Sequence, residues 1–414
     1  MEEMYRLPER EVRPAFGCTE PIALAFTAAK AVEVLGTFPD QLEAACSGNI
    51  IKNAKSVTIP NSEGRKGLYY SLILGAIVGN ADKELEVLNA LTHDDVIRAD
   101  ELAHADFCKV SLAEGVENLY IAVTVTGGGH TVMVRVERMH TNITRIEKDG
   151  EVIFDAPCEA VTAEDVMAKF EDCYQFAETA DFTRLKDLLG KQFDYNMAIA
   201  EEGLRGNYGA NIGSVLLDME GNDVRVRAKA YAAAGSDARM NGCEQPVVIN
   251  SGSGNQGITT SVPVIVYAQE LGVSDEKLLR ALTLSNLTTI HEKTPIGRLS
   301  AYCGAISAGA GAGAGIAYLC GGDYDAVIHT VVNALAVVSG VICDGAKASC
   351  AAKIATAVEA GLLGYNMYIR GNQFRAGDGI VAKGVENSLK NVGRLGKQGM
   401  KETNNEIIAI MVGC

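Results

Sequence analysis

Residues 300–322 read SAYCGAISAGAGAGAGIAYLCGG, with Cys303 standing in front of a run built almost wholly of Gly and Ala. Each glycine in a helix costs roughly 1 kcal/mol relative to alanine. A helix this rich in glycine is therefore expected only where something must come close to its backbone. A bilayer span needs about 20 strongly apolar residues, and this run lacks Leu, Ile and Val bulk. It reads as a helix buried in a soluble core.

Two further cysteines lie downstream in GVICDGAKASCAAK, 40 and then 7 residues on, at Cys343 and Cys350. Neither interval is a C-x-x-C zinc pattern, and no histidine stands at zinc-finger spacing. The Cys-Gly and Cys-Asp-Gly settings put each sulfur beside a turn or helix end, where N–H groups can bond to it. That suits an iron–sulfur cluster, with glycine letting backbone approach it.

Upstream, NGCEQPVVINSGSGNQGITTSVPV (residues 241–264) carries the loop SGSGNQG running into a helix, a cradle for anions. No Gly-Lys-Ser/Thr follows, and no strand-helix-strand context surrounds it, so nucleotide motifs are excluded. A small carboxylate or amino acid fits better. RPAFGCTEPIALAF (13–26) is a second helix start, whose exposed N–H groups attract a carboxylate and are expected to lower the pKa of Cys18 towards a thiolate. CSGNIIKN (46–53), TGGGHT (126–131) and IHEKTPIGR (290–298) offer further donors, among them Lys52, His130, His291, Lys293 and Arg298. Each alone reads as loop chemistry or helix capping.

The 414 residues imply more than one core. A helix over PIALAFTAAKAVEVLG, a strand at KSVTIPN and helical pattern from Gly67 to about Ala105 precede period-two alternation from about Lys109 to Phe154. That alternation reads as an antiparallel meander. From Thr162 almost everything is helical. The expected class is α+β: an N-terminal α+β part over 1–160 with an antiparallel sheet, and an all-helical part over 161–414. No internal repeat is visible.

The formal net charge of −15 argues against nucleic acid, which needs clustered Lys and Arg. MEEMYRLPER has no apolar h-region, so no secretory signal is read, no membrane is expected, and the location expected is cytoplasmic. Eleven cysteines then read as reduced thiols, with Cys108, Cys158, Cys173 and Cys320 assigned to the core. The absence of Trp disfavours base-stacking or carbohydrate platforms.

GCTEPIALA, CSGNIIKN, SGSGNQGI, CGAISAG and VICDGAKASCAAKIA, in this order, closely resemble the L-cysteine desulfidase family, which is related to the α chain of bacterial iron–sulfur L-serine dehydratases. The resemblance spans about Glu9 to Met411. It implies a serine-dehydratase-α-like helical domain and an oxygen-sensitive 4Fe-4S cluster held by three cysteines, without pyridoxal phosphate. Matched residue by residue, the ligands are Cys303, Cys343 and Cys350, although the Cys343–Cys350 gap is shorter than in the dehydratases. Cys18 is either the base or an alternative third ligand.

The implied reaction is β-elimination of L-cysteine to pyruvate, ammonia and hydrogen sulfide. The expected base is Cys18, with Lys347 and His291 behind it. Substrate contacts are expected from Thr19, Glu20, Ser47, Asn49, Ser251, Ser253, Asn255 and Gln256. By analogy, a cysteine at position 18 where the dehydratases carry serine separates the two activities, and Cys414 caps the open iron. A homodimer is the expected assembly. The alternatives are an iron–sulfur L-serine dehydratase, a non-catalytic cluster-binding protein, and a structural protein with reduced core cysteines.

Overall fold

The computed structural model describes residues 2–156 and 169–412. The expected boundary at 160/161, Cys158 and Cys414 lie outside the described residues. The first half runs α1 (Glu2–Glu11), β1 (Val12–Phe16), α2 (Thr19–Leu35), β2 (Gln41–Ser47), α3 (Gly48–Ala54), α4 (Gly67–Val78) and α5 (His93–His104). Five strands follow: β3 (Cys108–Ala113), β4 (Tyr120–Gly127), β5 (His130–Glu137), β6 (Ile143–Lys148) and β7 (Glu151–Asp155). Then come α6 (Phe170–Thr179), α7 (Lys186–Arg205), α8 (Ile212–Glu220), α9 (Val224–Met240), β8 (Pro246–Asn250) and α10 (Gly254–Leu271). The chain closes with α11 (Asp275–Ile296), α12 (Gly304–Leu319), α13 (Tyr324–Val338), α14 (Ser349–Tyr368), α15 (Val385–Arg394) and α16 (Lys401–Val412). The fold is α+β, as expected.

The sheet departs from a simple meander. Its order is β3-β2-β4-β5-β6-β7, so β2 lies between β3 and β4 and pairs parallel to β3. QLEAACS alternates buried Leu42, Ala44 and Cys46 with exposed Gln41 and Glu43, a period of two that marks a half-buried strand. KSVTIPN forms no strand. Only an isolated bridge joins Thr58 to Lys66, and Pro60 has no N–H to extend it. The helical half holds one strand among its described residues, β8, which pairs antiparallel with β1, Val12 opposite Asn250. This ribbon fastens the N-terminal segment onto the helical part.

Helix α12 lies at the centre of that part, against α10, α11, α13 and α14. Its glycines face different neighbours. A Cβ on Gly309 would stand 2.4 Å from the Ala357 carbonyl oxygen of α14. One on Gly311 would stand 2.2 Å from Thr289 Oγ1 of α11, and one on Gly315 2.9 Å from Val264 of α10. The backbone is thus approached by other helices, several at once.

Gly309→Ala is therefore expected to destabilise the protein by about 1–3 kcal/mol through overpacking. Gly190→Ala, in α7 with nothing within 4 Å of the added carbon, is expected to stabilise it by about 1 kcal/mol. Opposite shifts of the thermal midpoint check both; a fall in both would contradict the packing account.

Candidate active site

Cys303 and Cys343 are 40 residues apart in the chain but adjacent in space. Tyr302 bridges Ile342, the Cys303 N–H donates to the Val341 carbonyl at 3.1 Å, and the Cys343 N–H donates to the Ala301 carbonyl at 2.6 Å. This two-strand clasp holds both thiols at one cavity of about 90 Å³. Cys350, in the first turn of α14, and Cys18, ahead of α2, line the same cavity.

Four helices begin here among the described residues. Cys18 is the N-cap of α2, Ser253 of α10 and Cys303 of α12, and Cys350 opens α14. Each start presents unpaired N–H groups and the positive end of a helix dipole. The cavity is thus poised for negative charge.

Close packing builds the lining. Gly254 lets Arg239 lie across the start of α10, since a Cβ there would stand 2.2 Å from Nε. Arg239 Nη1 donates to Asn255 Oδ1 at 3.1 Å, while its buried Nε has no hydrogen-bond partner among the described residues. Gly304 admits the Gln256 side chain, which would stand 2.6 Å from a Cβ at that position, and the buried Gln256 Oε1 is also unpartnered.

Glu20 is buried in the same wall. It accepts from Asn53 Nδ2 at 3.0 Å, from the Cys18 thiol at 3.2 Å and from the Thr19 hydroxyl at 3.2 Å, and His140 Nε2 stands 3.8 Å away. Burial pushes its carboxyl up, but His140, Asn53 and Cys18 more than offset this and hold it at about 2. The Thr19 hydroxyl also reaches the Gly252 carbonyl at 2.8 Å, tying the first helix start to the SGSGNQG loop.

The expected thiolate at Cys18 is corrected. Burial, then the neighbouring Glu20 carboxylate, push the Cys18 thiol far above its ordinary value. Arg239 pulls the other way, but burial and the Glu20 charge outweigh it. Burial likewise pushes Cys303 up to about 12, with Cys343 adding to it and the Ala305 N–H opposing.

Two expected bases stand elsewhere. His291 faces Glu386 at 3.2 Å and Phe170, and Lys347 pairs with Asp344 at 2.8 Å; neither lines the cavity. Lys293 does line it. Two residues from His291, it points to the other side of α11, as helical spacing requires. It is 4% exposed, with no hydrogen-bond or ion-pair partner among the described residues. Burial lowers its pKa to about 8 against the opposing pull of Cys343 and Cys303.

The expected substrate residues divide. Glu20, Ser253, Asn255 and Gln256 line the cavity. Ser47 and Asn49 turn instead to Asn118, through hydrogen bonds of 2.8 and 3.4 Å. Ser251 donates to Asn250 Oδ1 and lines a neighbouring cavity. His130 is paired with Asp149 on an exposed hairpin. Asn53, Lys293 and Arg298 lie within the polar segments 46–53 and 290–298, where nothing local sets them above their neighbours; Arg239 and His140 carry no local signal.

Lys52 anchors the arrangement from behind. Its buried ammonium donates to the Ser300 carbonyl (3.3 Å), the Cys343 carbonyl (3.1 Å) and Asn404 Oδ1 (2.9 Å). Gly345, with φ +95, lets the Cys343 loop pass close to Lys52: a Cβ there would stand 2.4 Å from the Lys52 carbonyl oxygen.

No three His, Cys, Asp or Glu side chains among the described residues sit close enough to share one metal ion. A cubane makes a different demand, because each thiolate bonds a different iron. Three thiols around one cavity, with Lys293 and Arg239 in its wall and helix starts behind two of them, fit that donor set. No helix among the described residues is long and apolar enough to cross a membrane.

A family model described as "Serine dehydratase alpha chain" matches residues 82–409, which leaves the Cys18 segment outside the match. The chain is 53% identical to "UPF0597 protein DSY1109" of Desulfitobacterium hafniense, over 98% of this chain and 95% of that one. It is 49% identical to a UPF0597 protein of Lachnoclostridium phytofermentans, over 99% of each. A UPF0597 protein of Treponema denticola is 44% identical, over 99% of this chain and 98% of its own.

Lys52→Met is expected to cost about 1–3 kcal/mol, since it leaves three part-buried acceptors without their charged donor. Thermal unfolding reads the loss, and faster alkylation of Cys343 reads the loosened loop. Unchanged values in both would remove Lys52 from this role.

Proposed function

The chain belongs to the serine dehydratase alpha chain family, and from that premise we propose that it is an iron–sulfur β-elimination lyase acting on L-cysteine. Membership itself implies an enzyme of dehydratase or lyase type. The observation that carries the substrate class is the set of buried acceptors and donors that line one cavity. The acceptors are the ionised Glu20 carboxylate and the unpartnered Asn53 Oδ1 and Gln256 Oε1. The donors are the unpartnered Arg239 Nε and the buried Lys293. Together they complement the ammonium and carboxylate of an α-amino acid, and each unpartnered buried group costs about 1–3 kcal/mol until a partner arrives.

Cys303, Cys343 and Cys350 would hold a 4Fe-4S cluster. Cys350 suits the third position better than Cys18, because its thiol donates only weakly, to the Gly345 carbonyl at 3.7 Å, whereas Cys18 is engaged with the Glu20 carboxylate. When bound, such a cluster with three protein thiolates supplies an open iron that acts as a Lewis acid on the leaving group.

The chain's own groups do the rest. Arg239 and the start of α10 orient the carboxylate, while Glu20 and Asn53 hold the ammonium. Lys293, in its neutral form, removes the Cα proton. The Cα–H electrons form the Cα–Cβ double bond as the Cβ–S bond breaks, and the sulfur departs as sulfide. The aminoacrylate so formed tautomerises and takes up one water, giving pyruvate and ammonia. L-Serine elimination at the same groups is the second reading.

After anaerobic reconstitution with iron and sulfide, the protein is expected to turn brown and to release sulfide and pyruvate from L-cysteine faster than it forms pyruvate from L-serine. Preference for L-serine would select the dehydratase, and a colourless, inactive protein would overturn both readings. Lys293→Met is expected to lower kcat by about 10²- to 10⁴-fold while the cluster absorbance is retained. A base must be unprotonated to act. For the unsubstituted protein, kcat/KM should therefore rise with pH through about 8 and fall off below it; a flat profile there would exclude Lys293.

A further inference from the structure

A second cavity, of about 460 Å³, adjoins the first. The two share a partition made of Lys293, Arg298 and Leu299. The outer cavity is walled by the end of α1, turns of the sheet, the end of α11 and Lys397. Nothing in the elimination chemistry requires this chamber, and it is far larger than the inner one.

Its charge runs against that of the protein. The chain carries a formal −15, yet five cationic side chains line the chamber: Arg10, Arg138, Lys293, Arg298 and Lys397. Two carboxylates stand among them, Glu11 paired with Arg10 and Arg298 and Glu117 paired with Arg138. Five cations against two anions leave an excess of positive charge. A small anion is repelled by the molecule as a whole and drawn in at this point, since a low-dielectric cleft with such an excess focuses the field.

The partition is built to exchange partners. Arg298 Nη2 donates to both carboxylate oxygens of Glu11, at 2.8 and 2.7 Å. Glu11 also accepts from Arg10 Nε at 3.0 Å. If Arg298 leaves Glu11 for another carboxylate, Arg10 remains, so the buried Glu11 is not left unpaired. That removes the penalty of several kcal/mol that a stranded buried charge would incur. On the far side of the loop, Gly252 (φ +82) leaves room for Arg298 Nη1, which would stand 2.7 Å from a Cβ there.

We propose that the outer cavity is a binding antechamber for small carboxylates, and that Arg298 passes them across the partition by exchanging Glu11 for the ligand. The ligand class rests on the lyase reading: the substrate carboxylate on its way in, and the 2-oxo acid product on its way out.

The test uses the whole 414-residue chain and pyruvate as the probe, with binding followed by saturation-transfer NMR and no turnover required. Lys397 is exposed and lines only the outer cavity. Lys397→Glu is expected to weaken pyruvate binding about fivefold or more at low salt, Lys397→Arg to preserve it, and added KCl to weaken it in the unsubstituted protein. Equal affinity in all three proteins would overturn the antechamber. In parallel, kcat/KM for L-cysteine should fall in Lys397→Glu and with rising ionic strength. Turnover of L-cysteine indifferent to both, with pyruvate binding also indifferent, overturns the antechamber alone. Charge-dependent pyruvate binding without any L-cysteine turnover overturns the lyase reading and leaves the antechamber standing.

Discussion

Everything at the candidate site depends on four helices beginning at one place. A single helix start contributes about 0.3–1 kcal/mol to an adjacent anion, and up to about 2 in a partly buried setting. Burying one carboxylate or thiolate costs several kcal/mol. No single terminus meets that cost. The starts of α2, α10, α12 and α14 together, with Arg239, Arg298 and Lys293 in the wall, bring the two quantities to the same order. The charge on Glu20 is held directly by His140, Asn53 and Cys18, and the convergent helix starts add a positive surrounding that no single motif would supply.

Convergence requires close packing, and close packing explains the composition of α12. Helices that start at a common point must stay near one another for their first turns, and ordinary side chains would splay them. Glycine at 309, 311 and 315 brings α14, α11 and α10 against the α12 backbone. Gly304 and Gly254, at the very starts of α12 and α10, press Gln256 and Arg239 into the lining. The Gly/Ala run that looked designed to admit a bulky cofactor is thus designed mainly to admit other helices. Only its first glycine touches the site directly.

This explains what the residues disclosed in advance. Helix starts have local signatures, such as Cys-Thr-Glu-Pro, Ser-Gly-Ser-Gly-Asn-Gln and Cys-Gly, and those segments do meet at the cavity. Cys350 lines the cavity as well, but it carries no such signature, and only the family resemblance singles it out. Lys293 and Arg239 lie on helices far from any start, and their role comes from which face tertiary packing buries. His291 and Lys293 occupy one quoted segment, and nothing local distinguishes the face that meets Glu386 from the face that meets the cysteines. Cys18 differs from its expected thiolate for a related reason: a helix start argues for the charged form, but burial of the thiol, together with a carboxylate two residues on, outweighs the dipole. The parallel β2–β3 pair was hidden because a strand placed between two others is a property of topology, not of alternation.

The inner cavity also shows why its polar groups must be unequal in their pairing. Glu20 holds hydrogen bonds from three side chains and is ionised before any ligand arrives. Lys293 has no partner, and burial has already weakened its hold on the proton. Had Lys293 been paired with Glu20, both would be satisfied, as Lys347 and Asp344 are outside the cavity. Keeping the acid saturated and the amine alone stabilises opposite protonation tendencies within one small volume. Burial without a counterion favours the neutral amine that the proposed proton abstraction requires, and that is the setting of Lys293.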